Sequence, residues 1–403
     1  MRLVSFLAIL RRYPVARVAA AGILLFGFAG AATSPYQPVV AIRELGMSNA
    51  AYSVVIFAAA VANVLASILI GLLADRRASY RRPILVATGI GALGFATIYL
   101  LPSALVFALV AVGPLAIYGA SNALIFAKVR SHATEFTRAD GEAVGALLRM
   151  MISVAWILVP GAVGLLLAGS ASMLPAYLIS AVLALAGLAI LATLPADTVR
   201  PPGTPRAGIG DLLAFADPGL VLRVAGVALA SSVLHVNSAV LPLIVTGRAG
   251  GTVADVGVIV GYVALVEVVF IFAWAAICRR LSMQVALVLC MALYLAYFLA
   301  LASARAMPQV HAASLIGGIA AAAIITLPIP YLLGLIAGRP GLSASLIAVN
   351  HFVGAGIGAG IFALGTALGG YPAAAVLAGL AGVLGGLLLL ALDGWRRQPM
   401  VME

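Results

Sequence analysis

Charge is what this sequence has least of. Only 9% of its 403 residues are Asp, Glu, Lys or Arg, against about 25% in ordinary soluble domains. A water-soluble fold needs enough polar surface to stay solvated, so a soluble enzyme, a disordered chain and a fibrous protein are all excluded. Lysine is almost missing, Lys128 being the only one. Cysteine occurs twice, at Cys278 and Cys290 on adjacent apolar runs, in no metal-ligand pattern. Gly-Lys phosphate loops and clustered catalytic His or Cys residues are absent too, which leaves ATP drive and covalent catalysis unsupported. No run alternates apolar and polar residues with period two, which argues against a β-barrel.

What is present is apolar: 64% of residues, with mean hydropathy +1.20. Lipid is the solvent that suits such a chain, and the sequence predicts an all-α, polytopic integral membrane protein. A helix needs about 20 apolar residues to cross the hydrocarbon. Twelve such runs can be read, near 16–42, 50–74, 82–101, 103–128, 143–168, 174–194, 219–246, 254–278, 282–303, 308–336, 341–367 and 371–392. The first run imitates a signal peptide, since Arg2, Arg11 and Arg12 precede it, but its apolar stretch continues past the Ala-rich site and eleven more follow.

The basic residues mark orientation. With a cytoplasmic N-terminus, nineteen of the 23 Lys and Arg fall in inside segments, three (Arg43, Arg248, Arg305) fall outside, and Arg149 lies within a span. This predicts two cytoplasmic termini in a bacterial inner membrane, and it removes nucleic acid as the reason for the +11 net charge. The Pro- and Gly-rich stretch 195–218 divides the spans six and six. The expected organisation is a six-helix half at 1–194, a cytoplasmic linker at 195–218, and a second six-helix half with a short tail at 219–403.

Two charges sit well inside spans, Arg149 in the fifth and Glu267 in the eighth. A charge at mid-membrane costs about 2.5–3.5 kcal/mol on insertion scales, so it should face a cavity or a partner. Low dielectric favours the neutral carboxyl, which equips Glu267 to take up and release a proton near neutral pH. A structural ion pair with Arg149 is the competing role. Other polar groups placed inside spans are Gln37, Asn63, Tyr118, Asn122, Trp156, His235, Asn237, Tyr262, Asn350 and His351. Amides, imidazoles and aromatic faces suit a sugar; for each residue alone, a helix–helix hydrogen bond of about 0.6–2 kcal/mol competes with ligand contact. Two histidines do not make a metal site. Gly354, Gly356, Gly358 and Gly360 in span eleven, with Pro328 and Pro330 in span ten, fit either moving helices or close packing.

Between spans two and three stands GLLADRRASYRRP, Gly71 to Pro83. It resembles the major facilitator superfamily loop G-x-x-x-D-R-x-G-R-R, with Gly71, Asp75 and Arg76 in register. Ala78 replaces the second glycine, and the paired Arg81 and Arg82 come two residues late. Four stretches further resemble the bacterial sugar efflux branch: GAATSP…IRELG (Gly30 to Gly46), FAKVR (Phe126 to Arg130), LLRMMISVAWILVPG (Leu147 to Gly161), and Glu267 together with Arg339-Pro340-Gly341. The resemblance implies the twelve-helix major facilitator fold, with spans five and eight neighbours where the halves meet. It also implies a cytoplasmic gate at Gly71, Asp75, Arg76 and Arg130.

The function expected is secondary active transport by alternating access: proton-coupled efflux of a sugar or glycoside, with Glu267 and Arg149 as the coupling pair. Export of hydrophobic drugs is the alternative, and a membrane sensor or enzyme is further off because no output domain or acid/base cluster is visible. The expected partners are a small polar solute, protons and the bilayer. No cofactor is expected, and the chain reads as a monomer.

Overall fold

A computed structural model describes residues 9–77, 79–170, 172–196, 217–336 and 340–394, the side chains of 340–345 excepted. Among the described residues every regular element is helical. In chain order they are α1 Pro14–Thr33, α2 Asn49–Arg77, α3 Arg81–Leu100, α4 Ala104–Val112, α5 Pro114–Ser131, α6 Arg138–Leu166 and α7 Pro175–Leu191. Then come α8 Pro218–Val245, α9 Val253–Cys278, α10 Met283–Ser303, α11 Met307–Thr326, α12 Pro328–Gly334 and α13 Pro340–Asp393. Most of the 195–218 linker, and Arg339, lie outside the described residues.

Ten helical stretches are long and apolar enough to cross a bilayer. The last, Leu346–Asp393, is two helices joined at a break, and Pro175–Leu191 is a shorter apolar helix, so the described residues carry twelve apolar segments. Large apolar side chains such as Leu69, Leu93, Leu166, Phe272 and Leu368 stand exposed along them. In water such a surface would drive aggregation; in lipid it is the solvated surface.

Proline and glycine set the breaks that uniform apolar runs concealed. Pro114 ends the fourth run's continuity at Gly113, giving α4 and α5 in place of one helix. Pro328 splits the tenth run after Thr326. Pro35 and Pro38 lack the donor a helix ladder needs, so α1 passes through a 3-10 turn at Ser34–Tyr36 into a π-helical turn at Val39–Glu44. Gly370 makes the turn within α13 at φ 73°, a left-handed conformation that glycine adopts without penalty. Elsewhere polar caps start the helices: Ser103, Thr137, Asp217 and Ser282 accept first-turn backbone N–H groups, and Thr252 with Asp255 forms a capping box.

The chain forms two compact units, Met1–Ser48 with Ala58–Thr204, and Asn49–Phe57 with Pro205–Glu403. The beginning of α2 therefore groups with the second unit, where Tyr52 meets Phe362 and Phe57 stacks on Phe352, each at 6.0 Å between ring centroids. In the first unit α1 packs on α6 and α7, and α3 on α5 and α7. The second unit repeats this plan, with α8 and α10 on α13, and α11 on α9 and α10.

Small residues let these helices approach, since lipid supplies no hydrophobic drive between them. A methyl group on Gly385 would stand 2.5 Å from the Gly226 carbonyl oxygen, and one on Gly91 would stand 2.2 Å from the Tyr118 ring.

Polar knots tie the Arg-rich ends. In the first unit Lys128 is fully buried rather than solvated, its Nζ donating to the Ala196 carbonyl at 3.1 Å. Arg81 Nη2 donates to Ala192 O at 2.5 Å. Both cations face the carbonyl end of α7, where the helix dipole favours positive charge. Tyr13 donates to Asp140 Oδ2 at 2.8 Å, and that bond raises the phenol above its ordinary pKa. In the second unit the acceptor is Asp393, whose side chain is only 3% exposed. It takes Arg223 Nε at 2.7 Å, Tyr331 Oη at 2.7 Å and Gln284 Nε2 at 3.3 Å, so one carboxylate ties α8, α12 and α10 to the end of α13.

Candidate functional site

A polar cluster within the membrane-spanning helices lies on α8 and α13. The glycines of α13 make it: a Cβ on Gly354 would meet Ala228 O at 3.3 Å, and one on Gly358 would meet His235 Cβ at 2.9 Å. This close approach sets His235 beside His351, ring centroids 4.9 Å apart and edge to face. One turn before His235 on α8, Ser231 Oγ accepts at 3.2 Å from Nδ2 of Asn350, which is 8% exposed. The Asn350 Oδ1 atom is buried with no hydrogen-bond partner. None of the four ring nitrogens of His235 and His351 has a hydrogen-bond partner among the described residues. Ser231 was not singled out in the sequence; its place four residues before His235 on one helical face was the available signal.

Asn237 is engaged differently. Its Oδ1 accepts from Tyr297 Oη at 2.6 Å, a tie between α8 and α10 made by a tyrosine that is 2% exposed. Tyr297 and its neighbour Tyr294 were also missed by the sequence reading, although a buried tyrosine hydroxyl normally finds a partner. Tyr262 lies half-buried on α9. Glu267, one turn further along α9, is half-buried and has no hydrogen bond or ion pair among the described residues.

In the first unit, α6 carries Arg149, Ser153 and Trp156 at intervals of four and three, so they share one helix face, and all three are exposed. Ser153 Oγ bonds back to Arg149 O at 3.5 Å, and Arg149 has no acidic partner among the described residues of its own unit. Pro160 remains inside α6, where its carbonyl accepts from the buried Tyr36 hydroxyl at 2.6 Å.

Asn122 is half-buried with its Oδ1 unpartnered. Tyr118 is a packed interior ring, 4.9 Å from Phe26 and 5.4 Å from Phe95. Gln37 is half-buried at the turn between the 3-10 and π-helical segments. Asn63 donates to Ala116 O at 2.8 Å, which makes it a helix–helix tie.

At the loop after α2, Asp75 accepts from the Tyr80 hydroxyl, while Arg76 and, at the end of α5, Arg130 are exposed. Gly71 has open space where a side chain would be. No group of three or more His, Cys, Asp or Glu able to hold a metal ion occurs among the described residues.

The profile of the Major Facilitator Superfamily matches residues 19–359. The chain belongs to that superfamily. This major facilitator chain is therefore a multi-pass membrane transporter and not an enzyme. It is 28% identical over 352 residues to a protein of Deinococcus radiodurans named "Putative sugar efflux transporter", covering 85% of this chain and 89% of that one. Its fold is similar to the crystal structure of nucleoside transporter NupG, with a TM-score of 0.77, 13% identity, and 95% and 100% of the two chains covered. It is also similar to a POT family transporter solved with 5-aminolevulinic acid, with a TM-score of 0.73, 13% identity, and 93% and 95% covered. At those identities the likeness to solved structures is one of fold.

Proposed function

We propose that this superfamily member exports a sugar or glycoside by alternating access, against proton entry at the inner membrane of a bacterium. The relative from Deinococcus radiodurans supports the substrate class. So do the uncharged amide, hydroxyl and imidazole groups of α8 and α13, which match solute hydroxyls better than apolar drugs.

The observation that carries the coupling is Glu267: a half-buried carboxyl inside a span, without a hydrogen bond or ion pair among the described residues. Such a group is expensive in lipid unless it has work to do, and proton exchange is the work a lone carboxyl can perform. Arg149, on the exposed face of α6 with Ser153 and Trp156, is the second coupling residue of this reading.

Glu267→Gln keeps size and hydrogen-bonding capacity and removes titration. In proteoliposomes it should abolish sugar accumulation driven by a pH gradient while counterflow down a sugar gradient persists. Full gradient-driven accumulation by Glu267→Gln would remove Glu267 from the coupling role.

A further inference from the structure

We infer that Ser231, Asn350, His235 and His351 form a subsite that reads a solute hydroxyl, with Asn350 Oδ1 accepting its proton and Ser231 donating to its oxygen. The inference deepens the sugar-export reading and rests on it.

Asn350 Oδ1 is buried and unpartnered, and leaving such an acceptor dry costs about 1–3 kcal/mol. Its own amide nitrogen is already used on Ser231 Oγ; turned over, the amide would accept from the Ser231 hydroxyl and leave Nδ2 without an acceptor, so one amide atom is unpaired in either orientation. Ser231 accepts there and still holds a hydroxyl proton to donate, since a hydroxyl carries one donor and two acceptor sites. An acceptor and a donor thus stand side by side, the complement of an alcohol group.

The two imidazoles extend the pattern. Each neutral ring offers one donor and one acceptor, and His351 is exposed next to Asn350 in sequence. Charge is lacking here. Arg223 is the only ionic residue of α8 and Asp393 the only one of α13, and both belong to the knot at the Arg-rich end. The ligand chemistry that fits is a neutral, hydroxyl-bearing solute. An apolar drug would leave Asn350 Oδ1 unpaired, and a site built to bond a hydroxyl rejects the analogue that lacks it.

The test uses the full chain in proteoliposomes, with counterflow of a panel of neutral mono- and disaccharides and of ethidium. For the best sugar, each monodeoxyfluoro analogue is then assayed as a competitor. Fluorine cannot donate, so one analogue should compete about tenfold or more weakly than its parent on the wild-type chain. Asn350→Leu should weaken the parent sugar by a similar factor and become indifferent to that fluorine. Trp274→Phe should leave sugar competition within about twofold, because its lost ring volume and its bond from Nε1 to Ile319 O belong to the α9–α11 contact, on helices that carry none of the four subsite residues.

If every fluorinated analogue competes like its parent, or Asn350→Leu still discriminates among them, the subsite is overturned while sugar export stands. The wild-type comparison needs no variant, so a poorly folding Asn350→Leu does not rescue the idea. If ethidium exchanges and no sugar does, the sugar-export reading falls, and the subsite with it.

Discussion

Asp393→Asn removes the charge from the most densely bonded carboxylate among the described residues of the second unit. In the wild-type chain that carboxylate takes hydrogen bonds from Arg223, Tyr331 and Gln284, three helices converging on one side chain. A hydrogen bond to a charged group is worth about 1.5–3 kcal/mol, and removing one partner of a buried ion pair costs about 3–5 kcal/mol. Two features lower the figure here. The Arg223 side chain is 29% exposed and can regain water, and Asn retains an oxygen for Tyr331. The expected loss is about 2–3 kcal/mol, or roughly 4–12 °C in apparent melting temperature for a unit of this size.

The assay is thermal inactivation of the detergent-solubilised full chain, followed by fluorescence-detected size exclusion. Arg223→Gln with Asp393→Asn should cost less than the two single losses added, because each single variant strands the other partner. A shift below about 2 °C for Asp393→Asn would refute the reasoning that this knot holds the unit together.

Two further outcomes are expected. Gly385→Ala places a methyl group 2.5 Å from the Gly226 carbonyl and 2.8 Å from Ala230 N, both backbone, and should cost about 1–3 kcal/mol in the same assay; Gly360→Ala meets nothing within 4 Å and should be neutral or gain up to about 1 kcal/mol. Equal effects at the two glycines would overturn the close-packing account. For topology, a cysteine at position 205 should react with an impermeant maleimide from the cytoplasmic face and one at position 305 from the outer face, against a quiet background because Cys278 and Cys290 are both buried. Reaction of position 205 from outside only would reverse the orientation.

The sequence alone determined that this chain lives in lipid, and roughly where its spans lie. Composition and run length decide both, since hydrocarbon thickness imposes one length on every crossing helix. It also singled out Glu267 and Arg149, because a charge within a span is costly whatever surrounds it. The superfamily was legible in the loop at Gly71, Asp75 and Arg76.

Partnership was decided only by the tertiary structure. Lys128 counted among the cytoplasmic-side basic residues and is wholly buried against α7. Asn237 and His235, two residues apart, face different helices: one is tied to Tyr297, the other stands beside His351. Asp393, which nothing in the sequence marked, is the acceptor of three helices. The spaced glycines of α13 left bending and close packing equally open, and the fold shows which of them press on backbone and which face open space. In an apolar helix nearly every face is hydrophobic, so the periodic pattern that tells inside from outside in a soluble protein is absent. Which face meets a neighbour is then set by small-residue contacts and a few hydrogen bonds across distant segments, and these exist only once the helices are packed.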